Sequence, residues 1–103
     1  MSIKKHFGLK DLEKRYGKLN VSELLRSWRL CEGLSQRQFA HRLGISAQNL
    51  CDIEKGRKGI SIDKAHEIAT IIGYSAPVLI KMVIDEQIKE AGLKYRVELK
   101  QVA

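Results

Sequence analysis

The chain has 103 residues, 44% of them hydrophobic, with 19 Lys and Arg against 12 Asp and Glu for a net charge of +7. That length permits one domain with a modest core, and no apolar run is long enough to span a membrane or, at the lysine-rich start, to act as a secretory signal. Cys31 and Cys51 form no C-x-x-C pair, the three histidines are dispersed, and there is no phosphate-binding glycine loop, so neither metal, cofactor nor catalysis is expected, and a cytoplasmic chain with free thiols is.

The charge is unevenly placed. Residues 1–20 carry +4, residues 21–60 carry +3, residues 61–90 carry −2 and residues 91–103 carry +2. A basic front half ahead of a slightly acidic segment steers one face toward a polyanion. Within residues 1–20, Leu9, Leu12 and Tyr16 lie at helical spacing, with Lys10, Lys14 and Arg15 on other faces and Gly17 as a stop. This predicts a basic N-terminal extension formed as a short helix. A basic arm entering a minor groove through Lys4 and Lys5 is the alternative.

Ser22 is expected to cap the first helix of the domain, with Leu25 and Trp28 turned inward. Ser35 can cap a second helix of about two turns, in which Phe39, Ala40 and Leu43 share one face, His41 faces solvent, and Gly44 ends the helix in a left-handed conformation. Ser46 can cap a third helix with Leu50 and Ile53 inward, leaving Ala47, Gln48, Asn49 and Asp52 pointing away from the core. Two short amphipathic helices held by a tight turn at roughly 90 to 120°, with amide side chains crowding the start of the second, are how a helix-turn-helix presents itself. A generic helical hairpin has no need of amides there. Cys51 on this third helix is expected to pack as a small residue, with redox sensitivity as the alternative.

Ser61 or Ile62 opens a fourth helix whose Ala65, Ile68, Ala69 and Ile72 recur at helical spacing before Gly73. Ser75 caps a fifth, running to about Ala91 with Leu79, Met82 and Val83, joined by Glu86 and Ile88, near its buried or partner-facing side; Pro77 sits near its start, where the missing N–H is tolerated, and Gly92 closes it. The period then changes. In LKYRVELKQV, Leu93, Tyr95, Val97 and Leu99 alternate with Lys94, Arg96, Glu98 and Lys100, the pattern of a half-buried strand. A lone strand has nothing to pair with in a helical chain, so antiparallel pairing across a homodimer is predicted; a disordered tail, or folding back onto the N-terminal arm, stays open.

From about Val21 to Ile72 the chain resembles the DNA-binding domain of the phage lambda repressor and Cro superfamily. The marks are Ser35-Gln36, Phe39-Ala40, Leu43-Gly44-Ile45-Ser46, Ile53-Glu54-Lys55-Gly56-Arg57, and Arg29 in the first helix. The resemblance implies an all-α fold, a compact five-helix domain over residues 21–91, to which the N-terminal extension (1–20) and a C-terminal dimerisation strand (92–103) are added. Some antitoxins, those resembling the HipB type, carry such a strand. By position the resemblance assigns base reading to Ala47, Gln48, Asn49 and Asp52, and phosphate contact to Gln36, Arg37, Ser46, Lys55, Arg57 and Lys58. Gln36 would also brace the third helix. Ala47 stands where phage members often hold a long polar reader, which reduces readout there to a thymine methyl contact. Arg29 and Glu54 match a structural ion pair between the first helix and the end of the third, against the alternative that Arg29 binds phosphate.

The amides suit this work, since Gln or Asn can bond adenine N6 and N7 together and Asp can accept from cytosine N4. The expected function is a dimeric regulator, a repressor binding a palindromic duplex operator with half-sites about 34 Å apart. The alternative is an antitoxin that holds a protein toxin through the strand, the fifth helix or the N-terminal segment and autoregulates its operon. An adaptor that keeps the fold without binding DNA would lack the amides and basic flanks that Gln36, Gln48, Asn49, Lys55 and Arg57 supply.

Overall fold

A computed structural model describes residues 19–102, and these form five helices: α1 Val21–Cys31, α2 Gln36–Leu43, α3 Ala47–Glu54, α4 Ile62–Ile72 and α5 Ala76–Glu90. The helix predicted around Leu9, Leu12 and Tyr16, and the alternative arm with Lys4 and Lys5, lie outside the described residues. The chain divides into two compact units, one ending at Lys58 and the other beginning at Gly59. None of the described helices is long and apolar enough to cross a membrane.

In the first unit, α1 starts earlier than Ser22. The Asn20 side-chain oxygen accepts the Glu23 N–H at 2.8 Å while the Glu23 carboxylate accepts the Asn20 N–H at 3.2 Å, a reciprocal capping box. Ser22 therefore lies inside the helix, and its hydroxyl donates to the Ile53 carbonyl at 2.7 Å. That carbonyl belongs to the last turn of α3, where intrahelical donors run out. The expectation that Ser22 caps α1 is corrected accordingly: Asn20 has both the position and the acceptor, and Ser22 ties α1 to α3.

Ser35 caps α2, accepting the Gln38 N–H at 3.0 Å while Gln38 accepts the Ser35 N–H at 2.9 Å. Gly44 then reverses the chain at φ 70°, which glycine adopts without the steric penalty a Cβ would bring. Its N–H reaches the His41 carbonyl and that of Ile45 reaches Ala40, so the turn into α3 satisfies the end of α2. Beneath these helices Leu24, Leu25, Phe39, Leu43 and Leu50 are almost wholly buried. The Trp28 and Phe39 rings meet at 5.1 Å with planes 31° apart. Such a pair adds about 0.5–1.5 kcal/mol beyond the area it buries. His41 faces solvent and Cys51 is half-buried.

The second unit pairs α4 with α5. Ser61 caps α4 and Ser75 caps α5, with Ala65, Ile68, Ala69 and Ile72 of α4 and Leu79, Met82 and Val83 of α5 buried. Beyond Gly92 the predicted strand is absent: residues 93–102 form no strand within the single chain. The reason is topological, since a strand exists only with a ladder partner and every other described element is a helix or a turn. Its apolar positions stay in water, with Leu93 at 52%, Tyr95 at 72% and Leu99 at 40% exposure, and Val97 half-buried.

Candidate nucleic-acid interface

A buried brace joins α1, α2 and α3. Arg29 Nε donates to Glu54 Oε2 at 2.8 Å and Nη2 to Oε1 at 3.1 Å, a bidentate fork. Gln36 Nε2 adds a third donor to Oε1 at 3.0 Å. Arg29 Nη1 also donates to the Leu34 carbonyl at 2.9 Å, fastening the loop that leads into α2. Only 2% of the Glu54 side chain and 11% of the Arg29 side chain is exposed, so the arginine is committed to the interior. Gln36 uses one amide hydrogen on Glu54 and keeps the other.

The brace ties the end of α3 to α1 and to the start of α2. Ser46 caps α3, accepting the Asn49 N–H at 3.0 Å, and its own hydroxyl hydrogen is left for another acceptor. Ala47 and Gln48 are exposed, as are Lys55, Arg57 and Lys58 just beyond the helix. Gly56, at φ 75°, follows the end of α3, with its N–H on the Ile53 carbonyl and the Arg57 N–H on the Asp52 carbonyl. Arg37 is exposed on α2.

Two of the predicted readers are less open. Asn49 is half-buried, and its Oδ1 is buried without a hydrogen-bond partner among the described residues. Asp52 is also half-buried and accepts at Oδ1 from Gln48 Nε2 at 3.1 Å and from Arg57 Nη1 at 3.5 Å. The i, i+4 spacing of Gln48 and Asp52 was the sequence signal for this contact.

One participant was not singled out in the sequence. Arg26, exposed on α1, lines a cleft of about 270 Å³ with Arg29, Gln36, Glu54 and Lys55. Arg26 and Lys55 bring positive charge to this cleft, and Gln36 brings an amide with a hydrogen beyond the one Glu54 takes. Arg26 precedes Arg29 by one helical turn, and that spacing was the only hint of it.

A helix-turn-helix family profile matches residues 25–79, more than half of the chain. A protein of Methanothermobacter thermautotrophicus, described as an uncharacterized HTH-type transcriptional regulator, is 40% identical over 50 residues, which are 48% of this chain and 72% of that protein. No solved structure matches the chain at comparable stringency.

Proposed function

The chain belongs to the helix-turn-helix family, and from that premise we propose that it regulates transcription as a dimeric repressor bound to a palindromic duplex operator. The observation that carries the reading is the outer edge of α3, where Ala47 and Gln48 stand exposed between the Ser46 cap and the cations Lys55, Arg57 and Lys58. That is the arrangement of base-reading side chains flanked by phosphate contacts. Gln36 and Arg26, with Lys55, hold a second phosphate at the cleft, while Arg37 approaches the backbone from α2. The description of the Methanothermobacter relative agrees with a regulatory role.

The exposed apolar positions of the tail support the dimer, and their register can be worked out. Antiparallel self-pairing centred on Arg96 sets Leu93 opposite Leu99, Tyr95 opposite Val97 and Lys94 opposite Glu98, with one Arg96–Arg96 approach on the solvent side. Centring on Val97 sets Arg96 against Glu98 twice but Lys94 against Lys100 twice, and centring on Glu98 sets Arg96 against Lys100 twice and Glu98 against itself. The Arg96 register buries most and repels least. An antitoxin would use the same exposed tail for a toxin protein, and no separate observation favours that reading.

The test is selection of bound sequences from a random duplex library at near-physiological salt. A two-fold symmetric motif bound at least about a thousandfold more tightly than scrambled DNA is expected. Gln48→Ala should weaken operator binding more than random binding, while Lys55→Ala should weaken both and lower the salt slope by about one unit. Equal losses from both changes would refute the division of roles.

A further inference from the structure

We propose that Asp52 is a positioning residue for base recognition, holding the Gln48 carboxamide in one orientation rather than reading a base itself. The inference rests on the DNA-binding reading above and deepens it. A glutamine on an exposed helix face can turn its amide either way, presenting oxygen or nitrogen to the groove. A carboxylate only accepts, so Asp52, one turn further along α3, can engage Gln48 solely through Nε2, as the 3.1 Å contact shows. Arg57 donates to the same Oδ1 from beyond the helix end, and only 28% of the Asp52 side chain is exposed. The carboxylate is thus held against its own helix between two donors.

With one Nε2 hydrogen tied to Asp52, Gln48 presents Oε1 and the second hydrogen outward. An acceptor beside a donor complements adenine, whose N6 donates and whose N7 accepts, and it opposes guanine, whose O6 and N7 both accept. Asp52 therefore sharpens the choice of adenine over guanine at the base pair that Gln48 meets. It does so without touching that pair.

The experiment compares the full chain with Asp52→Asn, Gln48→Ala and the double variant, each selected against the same random duplex library. Asparagine keeps the size of Asp52 but can offer Gln48 either a donor or an acceptor, so the orientation is released. Asp52→Asn and Gln48→Ala are expected to flatten the same base pair, each lowering the adenine-over-guanine preference there about fivefold or more, and the double variant should flatten it no further. A packing role would weaken the motif evenly and lower the melting temperature. Loss of preference at a different base pair, with the Gln48 position intact, would make Asp52 a direct reader and overturn the inference; so would an unchanged motif. A wild-type chain that enriches no motif would instead bring down the DNA-binding reading itself.

Discussion

Removing the Glu54 carboxylate is expected to destabilise the chain more than any change on the outer face of α3. The side chain is 2% exposed and receives three hydrogen bonds, two from Arg29 and one from Gln36. Glu54→Ala leaves the Arg29 guanidinium, 11% exposed, bonded to the Leu34 carbonyl but without its carboxylate partner. Breaking a buried pair from one side costs about 3–5 kcal/mol, because the surviving charge stays buried without its partner. At about 4–8 °C per kcal/mol for a domain of this size, the melting temperature should fall by at least about 12 °C. The assay is thermal unfolding followed by helical circular dichroism. The double variant Arg29→Met/Glu54→Leu removes both charges and fills the space with apolar atoms, and should recover most of the loss, since such replacements are often neutral or stabilising. A Glu54→Ala protein that melts within a few degrees of wild type would refute the reasoning.

Gly44→Ala should lower stability by about 1–2 kcal/mol through backbone strain alone, because φ is 70° and an added Cβ would meet nothing within 4 Å; Gly59→Ala, where the backbone is not left-handed, should melt unchanged. Deleting residues 93–103 should yield a monomer by sedimentation with weaker operator binding, and a truncated chain that still sediments as a dimer would remove the tail from the interface. In the full chain, Arg96→Cys should oxidise to a cross-linked dimer while Lys94→Cys should not, because directly opposite Cα atoms at about 4.5–5.5 Å lie within disulfide reach and the proposed register sets residue 96 opposite itself.

The helices were legible because their ends are written in local chemistry. Ser35, Ser46, Ser61 and Ser75 each cap the helix expected of them, and Gly44, Gly73 and Gly92 follow helix ends at positive φ. Ser22 misled because Asn20, two residues earlier, competes for the same cap, and the box with Glu23 decides in favour of Asn20. The tail misled differently: alternation specifies which faces a strand would have, yet the strand requires a partner that the described residues do not contain. At the interface, the outward positions of Ala47 and Gln48 followed from the helical period. The Gln48–Asp52 contact was signalled only by its i, i+4 spacing, since it depends on rotamers, and the Arg26 cleft depends on bringing α1 beside the end of α3.

Stability and recognition meet at Gln36. A residue whose amide braced Glu54 with its whole donor capacity could not also hold a phosphate. Its nitrogen carries two hydrogens, however, and the brace consumes one, at 3.0 Å from Glu54 Oε1. Gln36 also lines the cleft with Arg26 and Lys55. Glu54 therefore holds the Gln36 amide as well as the Arg29 guanidinium, and the phosphate contact proposed for Gln36 would depend on it. On the proposed reading, a phosphate seated there would be positioned relative to α3 by the same carboxylate that anchors the end of that helix. On that reading, register on the duplex would in this way be set by a buried residue that never touches it, much as Asp52 would set the orientation of Gln48 on the exposed face.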